Sequence, residues 1–328
     1  MASNTTDPLA DAEYKREVVE AVFIGAVLGF LDLLTICGNL LVCVTIVSNH
    51  RLHNNTNFFV LSLAFSDLLL GILVLPFSTL NTVTSTWPLG AVFCNIFISM
   101  DVMLCTVSIL NLFAISLERY FAVVLPLSYA EKVTIRKVAY VLLGIWIFSF
   151  LMAFVPIHVG WNTNDGQVQN LKEPWQCVFE ANKIYVLFVS IGTYFIPLII
   201  MCGVYIRVFM IAREQVQRIN TLVRATVRMF HENSKDPRFA SDSKATVTLA
   251  SVVMAFAICW IPYFVLFTIR PFLNHPIDLH LDLFTLWLGY VNSMLNPFLY
   301  AFHSSQFRKG FLQVLTRRPH EFTKKDYM

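Results

Sequence analysis

Three charged residues lie in the stretch Cys94–Tyr120, which is otherwise mostly apolar. Asp101 is near its beginning, and Glu118 and Arg119 are at its end. If the stretch is helical, with a rise of about 1.5 Å per residue, the path from Asp101 to Arg119 is about 27 Å long. That length is close to the ~30 Å thickness of a bilayer's hydrocarbon core. Because ionisable groups inside such a segment are costly, they usually have a function.

Asp67 is a second acid in an apolar stretch. A lone carboxylate near mid-membrane is expensive, so it needs polar neighbours or a cation. Asn39, Ser108, Asn292 and Asn296 offer oxygen atoms, and oxygen-only coordination suits a hard cation. The sequence therefore predicts a sodium site with Asp67, Ser108, Asn292 and Asn296 as ligands. A protonated acid in a polar water network is the alternative, and no cofactor is required in either case.

The elements that carry these residues are predicted to be membrane helices. Of 328 residues, 56% are hydrophobic and 14% are charged, whereas about a quarter are charged in a soluble domain. Seven apolar runs each exceed the roughly 20 residues that a helix needs to cross a bilayer. The predicted fold class is an all-α membrane protein: a seven-transmembrane helix bundle with a short amphipathic cytoplasmic helix. The runs are Val22–Val47, Phe58–Leu80, Val92–Val124, Val138–Val159, Tyr185–Ile211, Ala245–Ile269 and Leu279–Phe302.

The lysine and arginine residues predict the orientation of the bundle. With the amino terminus outside, the outer segments hold five of the 24 Lys and Arg residues, and the inner segments hold the other 19. The positive-inside rule therefore predicts a multi-pass protein of the plasma membrane with an extracellular amino terminus. The net charge of +3 reflects this asymmetry and does not indicate nucleic-acid binding. The expected divisions are an extracellular segment (1–21), the bundle (22–302), and a cytoplasmic amphipathic helix and tail (303–328).

Cysteine and asparagine residues agree with this topology. Five of the seven cysteines lie within the predicted spans, where a free cysteine behaves as a small buried apolar residue. Cys94 and Cys177 lie on the oxidising outer side, which favours a disulfide bond between them; two unpaired thiols are the alternative. Asn4 begins a glycosylation sequon on the same side. Asp32, in the first span, is a partly buried acid for which the sequence offers no partner.

Short motifs in the seven runs together resemble one family. Each motif alone is a weak signal, but their order along seven spans is specific. The chain is identified by them as a member of the rhodopsin-like (class A) G-protein-coupled receptors over essentially its whole length. The resemblance implies that a heterotrimeric G protein is a partner and that the chain is not an enzyme. The motifs are Gly38-Asn39, Asp67, Glu118-Arg119-Tyr120, Trp146, Pro197, Cys259-Trp260-Ile261-Pro262 and Asn296-Pro297-Phe298-Leu299-Tyr300.

The resemblance implies a switch at the inner end of the bundle. Arg119 adjoins Glu118 and is expected to reach Asp242, which precedes the sixth span. Breaking these ion pairs as the sixth span moves outward would open a cytoplasmic cleft. An exposed ion pair contributes only ~0–1 kcal/mol, so the pairs would tilt this equilibrium without fixing it. The predicted switch residues are Glu118, Arg119, Tyr120, Asp242, Asn296, Pro297 and Tyr300.

Prolines within three spans are expected to act as pivots. Pro197, Pro262 and Pro297 each remove a helical hydrogen bond and clash with the preceding turn. Trp260 lies just before one of these kinks and below the outer cavity, where it would sense the bulk of a ligand. An ordinary aromatic core is the alternative interpretation of Trp260.

Asp101 predicts the class of ligand. A charge-assisted hydrogen bond to its carboxylate would anchor an ammonium group, and aromatic side chains of spans six and seven would surround it. This arrangement is similar to that of the biogenic-amine receptors. A structural acid paired inside the bundle is the alternative, but no nearby Lys or Arg in the spans supports it. The predicted ligand contacts are Asp101, Cys105, Thr106, Tyr185, Val189, Ser190, Thr193, Trp260, Tyr263, Phe264, Trp287 and Tyr290.

The identity of the amine is less determined. Several segments, among them Asp101–Cys105, are most similar to type-2 histamine receptors. Val189 departs from that pattern, because those receptors have an acid here that is expected to meet the imidazole. The hydroxyl groups of Ser190, Thr193 and Thr106 suit a phenol or an indole N–H as readily as an imidazole. Histamine is therefore one expectation, and another aromatic monoamine or a trace amine is the other.

The inner segments predict the class of G protein. The amphipathic stretch Arg213–Ile219 could extend the fifth span as a cytoplasmic helix, with a solvated basic face as the alternative. Together with Pro126-Leu127 it resembles receptors that couple to the stimulatory, cyclase-activating G protein. Farther on, Ser304–Leu315 alternates apolar and basic residues, as an amphipathic helix in contact with membrane lipid does.

Competing functions fit the sequence less well. A retinal-binding opsin needs a lysine in the seventh span, where Tyr290 stands in its place. A transporter would often show inverted repeats, and none is apparent. A class A receptor for a peptide or a lipid is the main alternative, which Asp101, Trp287 and Tyr290 disfavour.

Overall fold

The computed structural model describes residues 8–84, 86–227 and 237–316, and every regular element in these ranges is helical. We call the end of the bundle near Cys94 the outer end and the end near Glu118 the inner end, after the predicted orientation. The spans, in chain order, are Pro8–Ser48; Asn55–Leu73 with Leu75–Thr84; Gly90–Val124; Ile135–Val159; Lys183–Leu187 with Phe188–Phe195 and Ile196–Val227; Pro237–Ile269; and Leu279–His303. Shorter helices are His50–Leu52, Pro126–Lys132, Arg270–Phe272 and Ser305–Thr316.

Each of the seven predicted runs lies within one of these spans. In the described ranges, six helical spans are long and apolar enough to cross a membrane. The seventh, Leu279–His303, is less apolar because Asn292, Ser293 and Asn296 lie in it, and these three side chains are buried inside the bundle. Many large apolar side chains point outward instead, such as Phe302, which is 73% exposed. This distribution is typical of a bundle whose solvent is lipid.

The second span is broken, which the sequence analysis did not predict. Helix Asn55–Leu73 ends at Val74, whose φ of −121° and ψ of −57° depart from helical values, and helix Leu75–Thr84 follows at once. Pro76 explains the break, because its ring lacks an N–H group and clashes with the carbonyl of the preceding turn. The second span therefore consists of two helical segments that meet at Val74.

The fifth span contains a π-helical stretch just before Pro197. Residues Phe188–Phe195 form wider turns than an α-helix, and the α-helix resumes at Ile196. Such stretches are rare and occur often at functional sites. This one places Val189, Ser190 and Thr193 toward the interior, where all three are buried. By contrast, Pro262 and Pro297 lie within continuous helices.

A glycine allows the sixth and seventh spans to pack closely. A Cβ atom at Gly289 would lie 2.7 Å from the ring of Trp260, a distance that real Cβ contacts do not show. The Trp260 ring therefore rests directly on the backbone of the seventh span. Any larger residue at Gly289 would force this ring to move.

The helix Ser305–Thr316 packs against the inner end of the bundle. Phe307 and Phe311 are buried, and the ring of Phe307 stacks on Tyr300 with centroids 5.3 Å apart. The Arg308 side chain donates a hydrogen bond of 2.8 Å to the carbonyl of Phe302 and so caps the seventh span. Leu312, an apolar residue of the predicted amphipathic stretch Ser304–Leu315, is 61% exposed and lies on the side away from the bundle.

Candidate functional site: a cavity at the outer end of the bundle

The second outer loop closes over the outer end. Cys177 in this loop is bonded to Cys94 at the start of the third span, with Cα atoms 5.6 Å apart. The predicted disulfide bond is therefore confirmed. Two residues after Cys177, Phe179 lines a cavity inside the bundle, so the disulfide holds part of the wall of this cavity in place.

Among the described residues, Asp101 is the one acidic residue in the wall of this cavity. Its Oδ2 atom accepts a hydrogen bond of 3.0 Å from the hydroxyl group of Tyr290, and its Oδ1 atom accepts one of 3.5 Å from the thiol of Cys105. Neither partner is charged, and among the described residues no Lys or Arg forms an ion pair with Asp101. A buried carboxylate is costly without a counter-charge, so Asp101 is available to a cationic ligand.

The cavity is narrow and mostly apolar. It encloses about 40 Å³, which is room for about three water molecules. A ligand larger than this can bind only when lining side chains move. The wall consists of Asp101, Val102, Cys105, Thr106, Ile109, Phe179, Val189, Thr193, Trp260, Tyr263, Phe264, Phe267 and Leu286.

Aromatic rings form the side of the cavity nearest the sixth span. Tyr263 and Phe267 are stacked with ring centroids 5.9 Å apart, and Phe267 stacks in turn on Phe179 at 5.9 Å. Below them, Trp260 packs against Phe264 at 5.8 Å. Such faces attract a cation held near them. The aromatic series also connects the outer loop to the sixth span.

The end of the cavity next to the fifth span is polar but uncharged. The hydroxyl group of Thr193 donates a hydrogen bond of 2.6 Å to the carbonyl of Val189, and that of Thr106 donates one of 2.7 Å to the carbonyl of Val102. A hydroxyl has a single hydrogen to donate and two lone pairs. In this geometry both threonines therefore offer only acceptor capacity to a ligand.

The inner end of the bundle holds a buried carboxylate with several donors. Glu118 is 3% exposed and accepts hydrogen bonds from Arg119 at 2.7 Å and from the hydroxyl of Thr56 at 2.9 Å. The hydroxyl group of Tyr129, in the second inner loop, also donates to Glu118. Burial, followed by this hydrogen bond, raises the pKa of Tyr129 to about 12. The phenol therefore stays a hydrogen-bond donor throughout the physiological pH range.

Arg119 also lines a second, inner cavity. Thr56, Leu249, Tyr300 and Phe307 contribute to the same wall. This cavity opens next to the predicted switch residues. Its wall joins Arg119 to Leu249 of the sixth span and Tyr300 of the seventh, so a rearrangement of the Glu118–Arg119 pair would change the packing of both spans.

Comparison with known proteins identifies the family. The profile of the 7 transmembrane receptor (rhodopsin family) matches residues 38–300. The chain belongs to this family. It is 45% identical over 298 residues to the human histamine H2 receptor, covering 90% of this chain and 80% of that receptor. It is 43% identical over 319 residues to the histamine H2 receptor of Cavia porcellus, covering 97% and 85%, and 37% identical over 313 residues to the human 5-hydroxytryptamine receptor 4, covering 90% and 80%.

The family establishes the general character of the protein. It is a multi-pass membrane receptor of the rhodopsin family and not an enzyme. The predicted all-α bundle and the predicted family are both confirmed. The ligand and site residues remain predictions, which the geometry allows us to locate.

Four of the predicted ligand contacts do not line the cavity of the receptor. The hydroxyl of Tyr185 points toward the fourth span, 3.5 Å from the carbonyl of Met152. Ser190 donates to the carbonyl of Val186 at 2.6 Å. Trp287 donates from its indole nitrogen to Thr82 at 3.3 Å, so it faces the second span. The fourth is Tyr290, whose hydroxyl group donates a hydrogen bond to Asp101 but which does not itself line the cavity.

Five wall residues were not among the predicted contacts. Ile109 lies four residues after Cys105, and Phe267 lies four residues after Tyr263, so each continues a predicted helical face by one turn. A helical period would have found both. Nothing in the sequence pattern shows that the outer loop turns Phe179 into the cavity. The remaining two are Val102 and Leu286.

The predicted sodium site of the receptor is only partly assembled as predicted. Asp67 is fully buried and accepts hydrogen bonds from Ser108 at 3.3 Å, Ser293 at 2.7 Å and Asn296 at 2.8 Å. Ser293 was not in the predicted ligand set, and Asn292 makes no hydrogen bond to Asp67 in the described structure. The side-chain oxygen of Asn296 is buried without a partner. One carboxylate among oxygen donors fits a monovalent hard cation.

The other predicted switch residues of the receptor are distributed along the inner half. Pro297 lies within the seventh span, and Tyr120 packs its ring on Phe121 at 5.9 Å. Asp242 falls in the helix Pro237–Ile269, but its side chain is outside the described part of the structure. Asn4 also lies outside the described residues. Asp32 is buried, and its Oδ1 atom has no hydrogen-bonding partner in the described ranges.

Proposed function

We propose that this receptor binds a cationic biogenic amine at Asp101 and passes the signal to a heterotrimeric G protein. The observation that carries this proposal is a carboxylate with no charged partner in the described structure, facing a cavity with aromatic walls. An ammonium group supplies the missing counter-charge and a charge-assisted hydrogen bond. The relatives named for histamine and 5-hydroxytryptamine support the same class of ligand.

The ring of the amine lies toward the fifth span. Val189 offers an apolar surface there, and the hydroxyl groups of Thr106 and Thr193 offer hydrogen-bond acceptors. This end of the cavity therefore suits an aromatic ring with a donor, such as a phenol O–H, an indole N–H or an imidazole N–H. The described residues of the wall offer no second carboxylate to a doubly charged ligand. Histamine, another aromatic monoamine and a trace amine are the ligands to be compared.

Signal transfer runs from the cavity to the inner end. Trp260 touches both the cavity and the backbone of the seventh span at Gly289, so a ligand that displaces its ring also displaces the packing of two spans. Pro262 lies inside the sixth span and removes one of its helical hydrogen bonds, which allows the inner part of the span to swing. The Glu118–Arg119 pair is the element at the inner end whose rearrangement admits the G protein.

The stimulatory, cyclase-activating class is the proposed G protein, and the plasma membrane with an extracellular amino terminus is the proposed location. The distribution of Lys and Arg supports this orientation. The helix Ser305–Thr316, with Arg308 and exposed Leu312, supports contact with lipid at the cytoplasmic interface. A sodium ion beside Asp67 would be held by its carboxylate with hydroxyl and amide oxygens.

The test is a cAMP assay in cells that express the receptor, with histamine, serotonin, dopamine and tyramine as a panel. We expect at least one amine to raise cAMP. Asp101→Asn keeps the shape of the side chain and removes its charge, so potency should fall by about ten-fold or more. The matched control is Asp32→Asn, which changes a buried acid outside the cavity and should leave potency unchanged.

Surface expression of each variant is measured by antibody labelling, so that loss of folding is distinguished from loss of binding. Full potency in Asp101→Asn would rule out the carboxylate as the anchor. Failure of every amine on a well-expressed receptor would favour the alternative function, a class A receptor for a peptide or a lipid.

A further inference from the structure

Asp32 lies in the apolar part of the first span without a counter-charge. It is 7% exposed, and its Oδ1 atom has no hydrogen-bonding partner among the described residues. The second and seventh spans pack against the first, and neither contains a Lys or an Arg. Because an ionised carboxylate at this depth is costly, a bound cation or a proton must neutralise Asp32. The ionisable residues of the second and seventh spans are Asp67, His280, Asp282, Tyr290, Tyr300 and His303.

Contacts on either side of Asp32 indicate that it faces the second span. Gly25 lies two helical turns before Asp32 on nearly the same face, and a Cβ atom at Gly25 would be 3.5 Å from Val83. One turn after Asp32, the side chain of Ile36 lies 2.8 Å from the place of a Cβ atom at Gly71. The two helices run in opposite directions, so Asp32 lies opposite the stretch between Gly71 and Val83. The break in the second span is in this stretch.

The break deprives backbone carbonyl groups of their helical donors. Pro76 has no N–H group to donate to the carbonyl of Ile72. The N–H of Phe77, which would donate to Leu73 in a regular helix, donates instead to the carbonyl of Val74 at 3.1 Å. An unpaired carbonyl is costly in a bilayer, where no water replaces the missing donor. The acid of the first span therefore lies beside groups that can only accept hydrogen bonds.

A proton on Asp32 satisfies both the acid and the carbonyl groups. An ionised carboxylate can only accept, so it would repel the carbonyl oxygens, whereas a protonated carboxyl group has one O–H to donate. A metal ion would also supply positive charge, but it needs several oxygen ligands and the space to arrange them. The close approach of the two helices at Gly71 leaves little such space. A proton needs none.

We propose that Asp32 is a proton-binding site, whose uncharged carboxyl group donates a hydrogen bond to a backbone carbonyl of the second span at the break. The carboxyl group thus supplies the donor that Pro76 lacks, and it joins the first span to the junction of the two helical segments. The outer segment, Leu75–Thr84, is joined to the seventh span as well, because Thr82 accepts the indole N–H of Trp287 at 3.3 Å. This inference does not depend on the proposed amine function.

Infrared spectroscopy of the purified receptor in lipid nanodiscs at neutral pH tests the protonation state. The C=O stretching band of a protonated carboxyl group is separate from the bands of a carboxylate. We expect Asp32→Asn to remove protonated-carboxyl absorption equivalent to one group. The matched control is Asp165→Asn, which changes an exposed acid paired with Lys172 and should remove carboxylate absorption instead. Loss of carboxylate absorption in Asp32→Asn, with the protonated band unchanged, overturns the proposal.

A double-mutant cycle on thermal unfolding tests the hydrogen bond. Asp32→Leu removes the donor, and Pro76→Ala supplies a backbone N–H to the carbonyl of Ile72. We expect Asp32→Leu to lower the unfolding temperature by about 2 °C more in the receptor that keeps Pro76 than in the Pro76→Ala receptor. Equal effects in the two receptors overturn the hydrogen bond.

Asp32→Asn is the control of this cycle, because asparagine has a similar shape and keeps an N–H donor. It should leave the unfolding temperature unchanged, and a loss equal to that of Asp32→Leu overturns the proposal even where the Pro76→Ala receptor does not fold. Neither the infrared nor the unfolding measurement uses an amine. A receptor that responds to no amine would therefore contradict the amine function and leave the result for Asp32 valid.

Discussion

The hydroxyl group of Tyr290 lies 3.0 Å from the Oδ2 atom of Asp101 and donates a hydrogen bond to it. This contact joins the third and seventh spans at the point where the proposed ligand binds. The Tyr290 ring also packs edge-on against Trp260 and Trp287, with centroids 6.2 and 5.3 Å away. A charge that arrives at Asp101 therefore acts on two spans at once.

Tyr290→Phe should weaken amine binding while preserving the fold. Phenylalanine keeps the ring contacts with Trp260 and Trp287 but removes the donor to Asp101. A hydrogen bond to a charged group contributes about 1.5–3 kcal/mol, so potency in the cAMP assay should fall by about ten-fold or more. Tyr185→Phe is the control, because that hydroxyl lies outside the cavity. Equal effects of both substitutions would contradict the assigned role of Tyr290.

Val189→Asp should increase the response to histamine. An acid at this position faces the ring end of the ligand and gives an imidazole N–H a charged acceptor, which is stronger than a hydroxyl. We expect the potency of histamine to rise by about ten-fold, with a smaller change for tyramine. Val189→Asn has a similar size and no charge. If it gives the same gain as the acid, size or polarity and not charge limits the response to histamine.

Tyr129→Phe should raise signalling in the absence of ligand. Glu118 would keep Thr56 and Arg119 as donors but lose the one that connects it to the second inner loop. The inactive arrangement of the Glu118–Arg119 pair would then be less stable. The measurement is basal cAMP at matched surface expression. Tyr140→Phe, which changes a tyrosine that is 73% exposed, should leave basal cAMP unchanged.

The same hydrogen bond predicts a pH dependence of stability. Folding raises the pKa of Tyr129 from its ordinary value of 10 to about 12, so the protonated form is favoured in the folded state. The contribution is complete below pH about 10 and is lost as the pH rises toward 12. Thermal unfolding of the purified receptor should show a larger loss of stability in this window than Tyr129→Phe does. Identical curves would show that Tyr129 does not titrate as described.

Loss of the disulfide bond should weaken both the fold and ligand binding. Removing the Cys94–Cys177 bond releases the loop that carries Phe179, and native disulfides typically contribute about 2–5 kcal/mol. We expect Cys177→Ser to lower the unfolding temperature and reduce amine potency. Cys37→Ser removes a free cysteine in the first span and is the control. Unchanged potency in Cys177→Ser would show that the position of Phe179 does not affect binding.

The sequence predicts the helices of this receptor well, because each span must be apolar and must satisfy its own backbone hydrogen bonds within the bilayer. Length and apolarity locate all seven spans, and the rarity of charge within them draws attention to Asp101 and Asp67. Residues one helical turn apart, such as Asp101 and Cys105, share a face for reasons of period alone. These inferences depend on local pattern, which a sequence contains directly.

Other parts of the site depend on contacts between distant segments. The inward turn of Phe179 follows from side-chain hydrogen bonds of Asn170 to the backbone of Val178, which no periodicity indicates. Tyr185 and Trp287 lie on the predicted spans but point to neighbouring helices, because rotation of a span about its axis is set by packing. The rotation of the seventh span also explains why Ser293, and not the predicted Asn292, forms a hydrogen bond with Asp67. Adjacent residues on one helix differ in direction by about 100°.

The π-helical stretch Phe188–Phe195 has a consequence for comparing this receptor with others. In a regular α-helix each inserted or deleted residue turns everything beyond it by about 100°, whereas a wide turn absorbs an extra residue locally. The outer and inner parts of the fifth span can thus be rotated independently about the helix axis. A relative with a regular α-helix in this stretch would present a different side chain opposite Asp101. The number of residues from Pro197 is therefore a poor guide to which side chain of the fifth span faces the ligand. Superposition of the outer turns of this span is the sound basis for comparing receptors.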